Sequence, residues 1–106
     1  MEYLQEESKR EHSETVDVKL VYLRNRRKDL VKLKMYLGIG DFEMIRVLSQ
    51  RMIESGEMYS FPEIKNLGIE IKDHSINQDV LKLRNDFIFF DELLEKLENY
   101  LKNNGS

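Results

Sequence analysis

Val80-Leu81-Lys82-Leu83-Arg84-Asn85-Asp86-Phe87-Ile88-Phe89-Phe90-Asp91-Glu92-Leu93-Leu94-Glu95-Lys96-Leu97-Glu98-Asn99-Tyr100-Leu101 carries the clearest structural signal in the chain. Within it Val80, Leu83, Phe87, Phe90, Leu94, Leu97 and Leu101 recur in alternating steps of three and four. At 3.6 residues per turn, that spacing gathers all seven on one stripe of a helix. A coiled coil reads the same way over this length. Short connections to the preceding segments make packing within one chain the more economical solution.

Working towards the N-terminus, Ser75-Ile76-Asn77 reads as a break and the segment before it as a third helix. Its start is marked by Ser60-Phe61-Pro62-Glu63, with Ser and Glu at capping-box spacing and Pro in the first turn, where its missing N–H does no harm. Phe61, Ile64, Leu67 and Ile71 form its stripe, Gly68 permits close approach of a neighbour, and it is expected to end near Asp73-His74. A second helix spans Phe42 to about Ser55, with Phe42, Ile45, Leu48 and Met52 inward, Met44 and Val47 at the margin, and Arg46, Gln50 and Glu54 on another face four residues apart. Gln50 should point outward. The first helix covers Val18 to Leu37 through Leu23, Leu30, Leu33 and Leu37, joined by Val21, Tyr22 and Val31. It is expected to stop at Gly38, with Asp41 capping the next helix. Residues 1–15 form a polar leader without a long apolar period, expected to be frayed or loosely docked, although Tyr3 and Leu4 offer an anchor for a short extra N-terminal helix. The expected fold is all-α, an antiparallel up-down four-helix bundle over residues 16–103.

Composition narrows the function classes. The chain has 106 residues, 17 Lys+Arg against 20 Asp+Glu, a formal net charge of -3 and no Cys. One domain is expected, without disulfides, thiolate zinc sites or a cysteine nucleophile. No apolar run approaches the length of a membrane-spanning helix, and the stretch from Met1 to Glu14 is charged where a signal peptide would be apolar, so no membrane association and a cytoplasmic location are expected. The two histidines, His12 and His74, lack a helical i, i+4 partner, so neither metal nor cofactor is expected and both read as surface residues. Nothing resembling a phosphate-binding loop follows Gly38-Ile39-Gly40, and no catalytic triad order is present, which argues against an enzyme. The run Arg24-Asn25-Arg26-Arg27-Lys28 is interrupted by Asp29 in an acidic chain without an interleaved aromatic platform. It reads as a solvated or partner-facing helix surface rather than a nucleic-acid site.

Three stretches carry a family resemblance: Tyr22 to Leu30, the turn Gly40-Asp41-Phe42, and Leu48-Ser49-Gln50-Arg51-Met52-Ile53-Glu54-Ser55-Gly56-Glu57-Met58-Tyr59-Ser60-Phe61-Pro62-Glu63-Ile64. Over about three-quarters of its length the chain resembles the histidine-containing phosphotransfer domain of bacterial phosphorelays. That family uses a His followed by a Lys three residues on and a Gly four residues on. Aligned on Ser55-Gly56 and Tyr59-Phe61, those positions hold Gln50, Ile53 and Glu54. An imidazole nitrogen can attack an aspartyl phosphate, whereas a carboxamide nitrogen is not nucleophilic at neutral pH. The resemblance therefore implies the fold and the partner class, a response-regulator receiver domain or a histidine kinase, without phosphate acceptance. The implied partner surface is Arg46, Gln50, Arg51, Ile53, Glu54 and Tyr59, flanked by Ser60. Two alternatives stand beside it. One is an active relay through His74 or His12, and the other is an oligomerisation module using Phe89, Leu93 and Tyr100 on a second stripe of the last helix.

Overall fold

Two buried glycines at one helix crossing, Gly56 and Gly68, and three tight turns arrange four helices around one core. In a computed structural model of the protein, backbone is described for residues 2–104 and side chains for residues 17–104. The helices are α1 (Glu2–Ile39), α2 (Phe42–Met58), α3 (Pro62–Ile76) and α4 (Val80–Asn104), and no strand occurs among the described residues. No described helix is long and apolar enough to cross a membrane.

The expected leader is not a separate piece. The helical backbone runs unbroken from Glu2 into the first amphipathic segment, so residues 2–15 form no separate short helix. The side chains of Tyr3, Leu4 and His12 lie outside the described residues.

Turn chemistry departs from expectation at two places. The left-handed residue that closes α1 is Gly40 (φ 74), not Gly38. Gly40 N donates to Leu37 O at 3.1 Å and Asp41 N to Tyr36 O at 2.8 Å, which satisfies two carbonyls of the last turn. Asp41 then caps α2, its side chain accepting from Met44 N at 3.1 Å. The capping box expected at Ser60 and Glu63 does not form. Ser60 takes a left-handed conformation (φ 61) one residue too early, so Phe61 becomes the cap residue and offers no side-chain bond. Helices α2 and α3 also run on past Ser55 and His74, to Met58 and Ile76, so the break lies at 77–79. There Asp79 takes the capping role, accepting from Lys82 N at 3.1 Å.

The core is supplied by every helix. From α1 come Tyr22, Leu23, Leu30 and Leu33, from α2 Ile45, Leu48 and Met52, from α3 Ile64, Leu67 and Ile71, with Phe61 at its cap, and from α4 Leu83, Phe87, Phe90, Leu93, Leu94 and Leu97. Val21 and Val31 do not join the α1 stripe but lie exposed, each rotated by about one residue's 100° from its edge. Leu93 is likewise corrected. It is buried among the core residues instead of forming an outward stripe with the exposed Phe89 and Tyr100.

Each helix touches two others: α1 lies against α2 and α4, and α3 against the same two. The α2–α3 crossing is closest because Gly56 and Gly68 face the opposing backbone or side chains there. A methyl built on Gly56 would lie 2.7 Å from Lys65 N, and one on Gly68 would lie 3.0 Å from Ile53 Cγ1. On the α1–α4 side, Arg27 reaches Glu98 at 2.6 Å and Asp91 at 3.0 Å. The hydrogen bond that Arg27 donates to Glu98 leads the effects that hold its guanidinium above its ordinary value.

Candidate functional site

Helix α2 buries Ile45, Leu48, Ser49, Met52 and Gly56, and so turns Arg46, Arg51 and Glu54 to solvent. Gln50 is only half-buried, in place of the fully outward position its spacing suggests. It sits at the α2–α3 boundary, where its Oε1 accepts from Lys72 Nζ of α3 at 2.8 Å and its Nε2 donates to Glu54 Oε1 at 3.2 Å. Because an ammonium can only donate, Lys72 fixes which end of the amide faces it. The result is a continuous Lys72–Gln50–Glu54 chain in which charge polarises a neutral amide.

The other expected contacts are unevenly placed. Arg46 is exposed and paired with Glu43, one turn earlier, while Arg51 is exposed and has no ion pair among the described residues. Ile53 is half-buried against Gly68, so only part of it is offered to a partner. Tyr59 stands apart from this group. Its ring stacks on Tyr22 at 4.5 Å, and Tyr22 in turn stacks on Phe61 at 5.5 Å. Tyr22 Oη lies 2.8 Å from Ser55 Oγ, which also accepts from Arg26 Nη1 at 3.0 Å. Tyr59 therefore closes an aromatic edge of the core, and its half-exposed outer face is what remains for binding.

The basic run resolves in the same way. Arg24 and Lys28 face solvent, while Arg26 is engaged at Ser55 and Arg27 at α4. Asp29, which breaks the run in sequence, is buried 2.9 Å from Arg26 Nε.

His74 is not the free surface residue its isolation in sequence suggests. Its side chain is largely enclosed, with Nδ1 2.5 Å from Asp86 Oδ2 across the α3–α4 contact. Burial is the leading effect on Asp86 and pushes its carboxyl up from the ordinary range, with the His74 contact opposing it and the charges of Glu70 and Asp79 adding to it. A carboxyl whose pKa is raised by folding stabilises the fold below its unfolded pKa, and that contribution is lost as pH rises through the folded value. Wild type should therefore lose stability relative to Asp86→Asn as pH climbs through and above the ordinary Asp pKa of about 3.9. Urea midpoints of the two proteins that stay parallel over that window would show that Asp86 is not penalised by burial.

Among the described residues no group of three His, Cys, Asp or Glu side chains could hold a metal ion. The arrangement can bind and orient by charge and hydrogen bonding. The two contacts missed in sequence, Lys72 to Gln50 and His74 to Asp86, both join residues of different helices. Asp86 did leave a trace, since it follows Leu83 by three and so falls on the inward stripe of α4.

No family model matches the sequence, and neither a curated protein nor a solved structure is similar to it.

Proposed function

We propose that this chain is a phosphotransfer-type helical bundle that binds a receiver domain or a histidine kinase in the cytoplasm without accepting phosphate, and so acts as an adaptor, competitor or regulator. The antiparallel up-down arrangement of that family is supported by residue pairs. Tyr22 of α1 meets Ser55 late in α2, Gly68 of α3 meets Ser49 and Met52 of α2, and Arg27 of α1 meets Glu98 of α4. The observation that carries the functional reading is the placement of Gln50. An amide of about the reach of an imidazole stands on α2 with an amine from α3 beside it, the kind of cation that would neutralise a phosphoryl group. The amide reproduces the shape and hydrogen bonding of an acceptor and lacks its lone-pair reactivity.

Binding would use Arg46, Gln50, Arg51, the exposed part of Ile53, and Glu54, with Tyr59 at the margin. Arg46, Arg51 and Lys72 outnumber Glu43 and Glu54 on this face and suit the acidic pocket of a receiver. The test is incubation with a panel of phosphorylated receiver domains, reading both complex formation and phosphate transfer. Complex without transfer is expected, with Arg51→Glu or Arg46→Glu weakening it roughly tenfold. Unchanged affinity in both variants removes this face from the reading. A second reading rests on the geometry of His74, whose Nδ1 is engaged by Asp86 as in an oriented acceptor imidazole. Phosphate transfer that disappears in His74→Ala would establish that reading in place of the first.

A further inference from the structure

Gly38 leaves an opening between α1 and α4 that the fold itself does not require. It lies inside α1, needs no left-handed conformation, and a methyl built on it would meet nothing within 4 Å. Glycine weakens a helix relative to alanine. The opening it leaves is a groove of about 410 Å³ lined by Lys34, Leu37, Gly38, Arg84, Phe87 and Ile88. Leu37 and Phe87 give it an apolar floor, and Lys34 and Arg84 are exposed at its walls. Neither cation has an ion pair among the described residues, whereas the acidic groups farther along the same α1–α4 contact, Asp91 and Glu98, are held by Arg27.

The two walls repeat one pattern. On α1, Val31, Lys34 and Gly38 follow at helical spacing, and on α4 so do Leu81, Arg84 and Ile88. Ile88 of the lining is 61% exposed, and Val31 and Leu81, one turn before Lys34 and Arg84, are 68% and 70% exposed. Each cation thus follows an exposed apolar side chain by three residues, and the lining of the groove spans about one helical turn on each wall.

We infer that this groove docks a short acidic amphipathic helix of a partner protein, its apolar residues entering over Gly38 and its carboxylates meeting Lys34 and Arg84. Charge selects this occupant. A basic or neutral helix would leave two cations beside an apolar contact without compensation. The site lies on α1 and α4, apart from the α2 face, and does not depend on the receiver-binding reading.

The test uses the full chain and two labelled synthetic helical peptides, one with Leu on one face and flanking Glu, the other identical except that every Glu is Lys. Fluorescence anisotropy should show the Glu peptide binding at least about tenfold more tightly, with affinity falling as salt rises. Gly38→Leu should abolish binding while its thermal melting point stays at or above that of wild type, because the new side chain meets open space. The double variant Lys34→Glu, Arg84→Glu should reverse the preference between the peptides. Equal affinity for both peptides, or binding that survives Gly38→Leu, overturns the proposal. A concentration-dependent mass that Gly38→Leu abolishes assigns the groove to a second copy of this chain and overturns it as well.

Discussion

Gly56→Ala is expected to destabilise the protein by about 3 kcal/mol, at the upper end of the usual cost of overpacking a core by a methyl group. The added carbon would lie 2.7 Å from Lys65 N, 3.1 Å from Lys65 Cα and 3.1 Å from Phe61 O. All three are backbone atoms of the α3 start and its cap, so no rotamer change can make room. Helices α2 and α3 would have to part where they cross most closely, and the bond from Phe61 N to Gly56 O, 2.8 Å long, would stretch with them. The same change at Gly68 should cost less, because its contacts, at 3.0 to 3.1 Å, are longer than the 2.7 Å at Gly56, and one of them, Ile53 Cγ1, can turn away about its side-chain bond. Urea midpoints at unchanged slope measure both. A Gly56→Ala midpoint equal to that of wild type would mean that the crossing is looser than described.

Phe90→Ala is expected to cost about 3–5 kcal/mol, the range for truncating a fully enclosed aromatic side chain. Phe90 has no exposed surface and sits midway along α4, where its removal leaves a cavity walled by several helices. A domain of this size has about 5–15 kcal/mol in total, so the variant should melt far below wild type or be only partly folded at ordinary temperature. Its neighbour is the control. Phe89 is 53% exposed, and Phe89→Ala should change stability by less than about 1 kcal/mol. Similar melting points for the two variants would show the α4 register to be wrong.

That contrast also shows what could be read without coordinates. The inward stripe of α4 follows from apolar spacing alone, because a helix repeats every 3.6 residues whatever it packs against, and Leu83, Phe87, Phe90, Leu94 and Leu97 are all buried as that spacing requires. The core positions of α2 and α3 follow for the same reason. Turn details were less legible. Gly38 and Gly40 both offer a closing residue, and the left-handed φ of Gly40 with the hydrogen bond from Asp41 N to Tyr36 O decides between them. Ser60 has the right side chain for a cap at a position whose backbone turns the wrong way. The candidate site was legible as a set of residues on one face of α2. Its key neighbour was not, because Lys72 is 22 residues from Gln50 and no local pattern connects them. The signal available was indirect: two glycines, Gly56 and Gly68, at the points where α2 and α3 approach, define the register that brings Lys72 to Gln50.

The contact between α1 and α4 has a consequence for the chain as a polymer. The hydrogen bond from Arg27 to Glu98 joins residues 71 apart, whereas the Ser55 bond to Tyr22 spans 33 and the Gln50 bond to Lys72 spans 22. Closing a loop costs entropy that rises with the logarithm of its length. The seam between the first and last helices is therefore the most demanding to close. A nascent chain cannot complete that seam until its final turns have been synthesised, and until then Leu23, Leu30 and Leu33 lack the α4 surface that covers them. Helices α1 and α4 act as the clasp of the domain, and a covalent link between them would remove the longest loop closure that folding must make.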